Sequence, residues 1–544
     1  MYAINSSPAL SGCTFSGNTA GFGAGFCLVG SSSTASLTEC TFDANPSSNL
    51  GGGAYCLNAA SIAFTRCTFT GNSARHGAGV HCLNAAATFD SSSFSSNSAQ
   101  IRGGGIFFDG ARALALTGCT FSGNGTTLGS VAFASGGGGL HCLNATSASL
   151  TGCRFLGNTG LGINGYGGGV FFRYVPSYAL DDCVFADNSA SGGGGIYASS
   201  SSGSATDCSF SGNSAPIGGA AQLGSSSHSF TRCTFDANHA DHGGAVVCGA
   251  IPFTDCVFSG NTAIQEGGAI LGPAQLTGSA LHANSATWGG AVAVINAGPI
   301  TAAISDCVLF RNSAVFGGAC DFLASRGSIA SSTLAFDSGS FGGGVSLRDS
   351  STVTLDNTII GFGTSGEAVL CEDAGSVPVL ACSDIFGNAG GDWTACIADQ
   401  LGINGCFAAD PLFCAPLADD FTLAETSPCA PAHSPAGCGL IGALPVGCVA
   451  PIGVPEAGSP AVPVRLRVVP NPIGSDGTIE WTGAARGAVT LRLYDAAGRL
   501  VAARTGAGAR RIHWSDLAGE RRLPAGVYFL ELAGTDVVRV AVLR

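Results

Sequence analysis

Any chemistry in this chain has to come from few ionisable side chains, because Asp, Glu, Lys and Arg make up only 10% of 544 residues. Two groupings of them recur at a spacing that matters. The first is a column of acids, Asp182, Asp207, Asp255 and Asp306, each placed just before a repeated Cys. Stacked carboxylates can act as acid and base on a glycosidic bond or hold calcium. Arg232 interrupts the column between Asp207 and Asp255, however, and alternating charge on stacked repeats reads as a solvated ladder. The second grouping is His239, Asp241 and His242, with Glu266 in the position that His242 holds one repeat earlier. Repeats stacked about 4.8 Å apart would let such side chains converge on a metal. All four fall in bend segments, where polar residues gather without one. His81 and Cys82 are strand neighbours and face opposite ways, so they do not share an ion. Ser-His-Asp and Cys-His sets cannot be singled out from the many structural Ser and Cys. No catalytic residue, metal or cofactor is assigned.

The elements that would position these residues come from one phrase. Cys13-Thr-Phe15-x-x-Asn18 returns as Cys40-Thr-Phe42-x-x-Asn45 and Cys67-Thr-Phe69-x-x-Asn72, and its Asn recurs twelve times, ending at Asn312, at intervals of 23 to 34 residues. Each interval suits one turn of a three-sided parallel β-helix, with three short strands and three bends. Within a turn, Ile62 and Phe64, then Cys67 and Phe69, alternate inward on two strands. The Asn sits in a bend, where it tolerates left-handed backbone and can hydrogen-bond its copy in the next turn. Gly clusters such as Gly51-Gly52-Gly53 supply bends that side chains would obstruct, and a third strand follows.

Composition agrees with a solenoid: Gly supplies 84 residues, yet hydrophobic residues still make up 46%. The net charge of −13 is unevenly spread, with 12 of 22 basic residues beyond residue 464. Lys is absent and no basic cluster offers a path for a phosphate backbone, so nucleic acid is not an expected partner. No apolar run approaches the roughly 20 residues of a membrane-spanning helix. The 24 Cys contain no Cys-x-x-Cys pair, which argues against zinc and for an oxidising compartment. Those of the repeat are expected to be buried and unbridged. The eight from Cys371 to Cys448 are expected to be mainly paired, stapling a loop-rich lid over the end of the solenoid.

The phrase Phe-x-x-Asn followed by Gly-Gly-Ala/Val/Ile resembles the repeat of polymorphic outer-membrane proteins and other right-handed β-helix surface proteins, over about residues 1–345. The resemblance implies a right-handed parallel β-helix and a surface or secreted setting. It does not choose between adhesins and polysaccharide lyases, both of which use the fold. Met1 falls at an inward strand position in mid-repeat, so a part of the protein upstream of it, with its export signal, is expected. Residues 346–448 read as final irregular coils and a Cys-rich cap, and 449–464, with four Pro, as a linker.

From Arg465 the strands lengthen, as in Val489-Thr-Leu-Arg-Leu-Tyr494 and Gly526-Val-Tyr-Phe-Leu-Glu-Leu532, the pattern of a small Ig-like sandwich. Pro470-Asn471-Pro472, Gly498-Arg499-x-Val501, Leu523-Pro-Ala-Gly-Val-Tyr-Phe529 and the ending Arg539-Val-Ala-Val-Leu-Arg544 resemble the FlgD-type Ig-like module and the type A sorting domain of type IX secretion, over 465–544. The resemblance implies an export and attachment address that engages secretion machinery, with Arg539, Val540, Val542, Leu543 and Arg544 in its terminal signal. Arg539 stands where Lys is commoner in that family, which keeps the charge.

One column remains. Val80, Ile106, Leu140, Val170 and Ile196 align as inward residues of the third strand, so the residue after each points outward. That column reads Tyr55, His81, Phe107, His141, Phe171 and Tyr197. Six outward rings would form a flat stripe about 24 Å long, suited to stacking sugars or meeting a protein partner. The plainer alternative is a self-stacking ladder that covers the sheet. The whole reading is a secreted or cell-surface adhesion or glycan-binding protein, not an enzyme, with a glycan or a neighbouring surface polymer as partner. A polysaccharide lyase or glycoside hydrolase of the β-helix type, and an inert stalk, are the alternatives.

Overall fold

A computed structural model describes residues 1–127, 135–162, 164–224 and 226–449. Beyond them it describes strands Arg465–Val469, Thr478–Thr482, Ala488–Asp495, Leu500–Ala507, Arg511–His513, Gly526–Leu532 and Asp536–Val542, with residues 514 and 517. The chain divides into two units, residues 1–450 and 451–544.

The first unit is a parallel β-solenoid. Three sheets of fifteen strands each run its length, every strand pairing in parallel with its copy one coil away. The first sheet runs from Tyr2–Ile4 to Val369–Cys371, the second from Ala9–Ser11 to Val377–Ala381, and the third from Thr14–Ser16 to Asp384–Phe386. The coils therefore continue past residue 345, where the sequence phrase blurs. The interior is filled by the inward residues of each strand. On the third sheet, Phe15 through Phe258 stack ring on ring, as at Phe69 and Phe94 with centroids 4.7 Å apart and planes 2° from parallel.

Three devices keep the polar backbone satisfied around that core. The repeated Asn form a ladder: Asn188 donates its backbone N–H (3.1 Å) and side-chain N–H (2.9 Å) to Oδ1 of Asn213. Asn213 in turn donates to Phe185 O (2.9 Å) and to Oδ1 of Asn238 (3.0 Å). The repeated Cys turn their thiols to carbonyls at the corner between the second and third sheets, Cys67 Sγ donating to Leu37 O at 3.3 Å. Ser92, which replaces Cys in one coil, donates to Phe64 O in the same way, so the column needs a small donor rather than sulfur. The Gly cluster allows coils to approach: a Cβ on Gly53 would lie 2.5 Å from Gly79 O and 2.9 Å from the Phe69 ring.

The structure adds a fourth sheet that the sequence pattern does not separate from a bend. Short strands including Ala20–Phe22, Ser47–Leu50, Ser73–His76 and Ser98–Arg102 follow the Asn ladder and pair in parallel along one flank.

The end of the solenoid is closed by the Cys-rich segment. Gln400 donates from Nε2 to Pro378 O (3.0 Å) and accepts Leu380 N–H (2.8 Å), standing in for a further strand of the second sheet. Phe407 pairs with the last strand of the third sheet. The segment then folds back over the side of the last coils, where Phe421 packs on Phe310 and Phe336 and Arg311 pairs with Asp419. Bridges join Cys371–Cys396, Cys382–Cys438 and Cys414–Cys448. Cys406 and Cys429 are buried free thiols, and Cys429 instead donates to the Asp384 carboxylate at 3.2 Å. The expected pairing thus holds for six of the eight, and the repeat Cys are free as expected.

The second unit has a three-stranded antiparallel sheet (Arg465–Val469, Thr478–Thr482, Arg511–His513) and a four-stranded one (Leu500–Ala507, Ala488–Asp495, Gly526–Leu532, Asp536–Val542). Ile479, Leu491, Leu493, Trp514 and Leu530 are among its buried residues. Arg539, Val540 and Val542 lie on the final strand, with Val540 buried. Leu543, Arg544, Pro470-Asn471-Pro472 and linker residues 450–464 lie outside the described residues.

Candidate functional site

The six-ring column has the predicted register on the outer side of the first sheet: Tyr55 pairs with His81, His81 with Phe107, Phe107 with His141, His141 with Phe171 and Phe171 with Tyr197. It is not an open platform. Tyr55, His81, Phe107, His141 and Phe171 are buried, and Tyr197 is half-buried. The fourth sheet roofs them with a second column, Phe22, Leu50, His76, Arg102, Gly136 and Tyr166, also in register. Phe22 meets Tyr55 at 5.6 Å between ring centroids, His76 meets Phe107 at 5.7 Å and Tyr166 stacks on Tyr197 at 4.5 Å. The expectation of exposed rings fails because the bend segments that cover them fold as strands.

The acidic column lies at the corner between the second and third sheets, with Asp182, Asp207, Asp255 and Asp306 all at φ between 50° and 54°. Arg232 forks onto Asp207 with bonds of 2.7 and 2.8 Å, both side chains about half exposed, and Glu39 and Arg66 form the same kind of pair earlier in the column. That is the geometry of the solvated ladder. The Arg232 hydrogen bonds hold the Asp207 carboxyl below the usual carboxylate range.

Of the four residues considered for a metal, the fold joins two. His242 Nδ1 contacts the Glu266 carboxylate, and its Nε2 lies 3.4 Å from the Gln265 amide. His239 Nδ1 bonds Thr262 Oγ1 at 2.8 Å instead. Among the described residues no group of three or more His, Cys, Asp or Glu is placed to hold a metal ion.

His239 and Asp241 belong to a different feature. The nine-stranded flank sheet stops at Ser189–Ala190, and the excursion of the coil before it, through Leu161 and Gly162, overhangs the shorter coils that follow. A groove of about 380 Å³ lies beneath, lined by Leu161, Ser189, Ser191, Ser214, Pro216, His239 and Asp241 with neighbouring Gly and Ala. Ser189, Ser214 and His239 occupy one column, each the residue after the ladder Asn and each bridged to the next. Pro216 O accepts the backbone N–H of both Asp241 and His242 at 3.0 Å, which fixes the floor. Leu161, 53% exposed, forms an apolar wall. Hydroxyls, an imidazole and a carboxylate at one-coil spacing, between an aliphatic wall and a proline, can hydrogen-bond and cradle a ligand rich in hydroxyl groups. The sequence signals this groove only through the long insertion between Thr159 and Tyr166; that the following coils are short enough to leave a ledge is a matter of three-dimensional stacking. The other long insertion, Gly125 to Ser135, has its residues 128–134 outside the described residues.

The family model described as the right handed beta helix region matches residues 52–235 and, in a second overlapping match, 138–334. No curated protein matches the chain.

Proposed function

Because this chain belongs to the right-handed beta-helix family, whose fold serves surface and carbohydrate-related proteins in general, we propose that it is a secreted or cell-surface adhesion protein that binds a glycan without cleaving it. The observation that carries this reading is the flank groove: Ser189, Ser214 and His239 recur at the coil spacing beside Asp241 and Leu161, on a scaffold that does not have to deform to present them. A polymer with a monomer repeat near the coil spacing meets equivalent groups at successive coils. Three bridges in the cap are compatible with an oxidising compartment, and no helix among the described residues is long and apolar enough to cross a membrane. Residues 465–544, in this reading, are the export and attachment module.

The test is binding of the full chain to an array of soluble polysaccharides, with Leu161→Ala and His239→Ala/Asp241→Ala beside the parent. Loss of capture by about tenfold or more per variant, with unchanged thermal unfolding, supports the groove; capture equal to the parent removes it. Appearance of new reducing or unsaturated sugar ends during incubation would replace binding with the enzymatic alternative. Deleting 465–544 should abolish surface display in the producing cell, and normal display by the truncated chain would refute the sorting role.

A further inference from the structure

The layer between the first and fourth sheets holds three imidazoles and a guanidinium. His81 and His141 come from the ring column, and His76 and Arg102 from adjacent positions of the roof. The rings interleave: His81 to Phe107 is 4.8 Å, Phe107 to His141 is 5.2 Å and His76 to Phe107 is 5.7 Å between centroids. His81 Nδ1 donates to His76 O (3.4 Å) and His141 Nδ1 to Gly136 O (3.1 Å), so sheet and roof are tied through neutral imidazoles. His76 Nδ1 is buried without a partner.

The charged neighbours are mostly of one sign. Arg75, Arg102 and Arg173 bear on the histidines, while Asp109 bears on Arg102. Burial keeps Tyr55, Cys27 and Cys56, at one end of the layer, in their uncharged forms. Burial first, and then these cations, pulls His76 down to about 4, while burial brings His81 to about 3 and His141 well below the ordinary imidazole range.

We propose that this layer is an acid-released latch, in which protonation of His76, His81 and His141 beside Arg102 lifts Ser73–His76 and Ser98–Arg102 off the first sheet and uncovers the rings beneath them, His81 and Phe107. A proton on any of these imidazoles has to be hydrated, and among the described residues the roof strands are a thin cover over them. Its strands are four and five residues long. They are anchored at one end by the Asn ladder and at the other by the Gly cluster, so they can part from the first sheet while the other three sheets keep their own pairing. The sign follows from linkage: the stability these histidines contribute is complete above the unfolded value near 6.5 and is lost as pH falls through the depressed folded values. The latch does not depend on what the flank groove binds.

Hydrogen exchange of the full chain at pH 7 and at about pH 4.5, corrected for intrinsic rates, tests it. Peptides covering 73–76 and 98–102 should lose protection by at least about tenfold at the lower pH, while those covering 80–83 and 106–109 on the first sheet and 68–70 and 93–95 on the third sheet keep theirs. Since the column already accepts Phe107 and Phe171, His81→Phe/His141→Phe should fold and lose less roof protection at acid pH than the parent, with His76 alone left to protonate. Equal protection of wild-type roof peptides at the two pH values would overturn the latch, as would an unchanged acid response in the double Phe variant.

Discussion

Asp337 accepts both the backbone amide (2.8 Å) and the side-chain amide (3.0 Å) of Asn312 through one oxygen, and its other oxygen is buried with no partner. It takes the place of Asn at the end of the ladder, where an amide nitrogen would donate inward. Burial pushes its carboxyl up to about 8, so it remains protonated at neutral pH and can act as a donor.

This carboxyl makes stability pH-dependent in a definite direction. The unfolded Asp loses its proton near pH 4, whereas the folded one keeps it to about 8. Between those values the folded chain binds more protons, so stability falls as pH rises and the full loss is reached above about 8. Asp337→Asn supplies the donor without ionising. We expect it to remove this slope and to stabilise the last coils by a few kcal/mol at pH 9, read from denaturation midpoints across pH.

Removing one rung from the middle of the ladder should be costly. Asn213→Ala strips partners from the Asn188 backbone and side chain and from Phe185 O, all buried. A loss of about 2–5 kcal/mol is expected, since orphaned buried amides cost roughly 1–3 kcal/mol each. Chemical denaturation that finds less than about 0.5 kcal/mol would mean that water replaces the amide. Cys→Ser in the corner column, by contrast, should be tolerated, because Ser92 and Ser279 already occupy it with working hydrogen bonds.

Thiol accounting provides a third check. Non-reducing peptide mapping should recover Cys371–Cys396, Cys382–Cys438 and Cys414–Cys448. Alkylation of the native protein should leave Cys67, Cys153, Cys233 and Cys429 unmodified, and denaturation should expose all four. Burial holds the Cys67 and Cys429 thiols above their ordinary range, which reinforces their inertness. Bridges between repeat cysteines would contradict the stacked geometry.

The solenoid itself was legible because its determinants are local and repeated. Phe69 facing inward, Asn72 in its bend and Gly53 beneath the next coil can each be read within one phrase, and twelve copies average out exceptions. The roof was not legible. Ser73–His76 carries no apolar alternation, and its strand character comes from pairing with Leu50 and Arg102 in other coils. Hence Phe107 and His141 were correctly placed outward, yet their burial could not be read from period two alone. The same non-locality hid the fold-back of Phe421 onto Phe310 and the use of Asp384, rather than a second thiol, as the partner of Cys429.

Gln400 gives the capped end a further property. A parallel strand edge presents alternating donors and acceptors to any chain that meets it, and exposed edges are where one molecule recruits the next. By engaging Pro378 O and Leu380 N–H with a side-chain amide, Gln400 occupies part of that edge with a group that offers no continuing backbone. Phe407 does likewise for the third sheet with a single bridge rather than a full strand. The cap thereby leaves fewer free backbone donors and acceptors for the strand of a second molecule to pair with at this end of the solenoid.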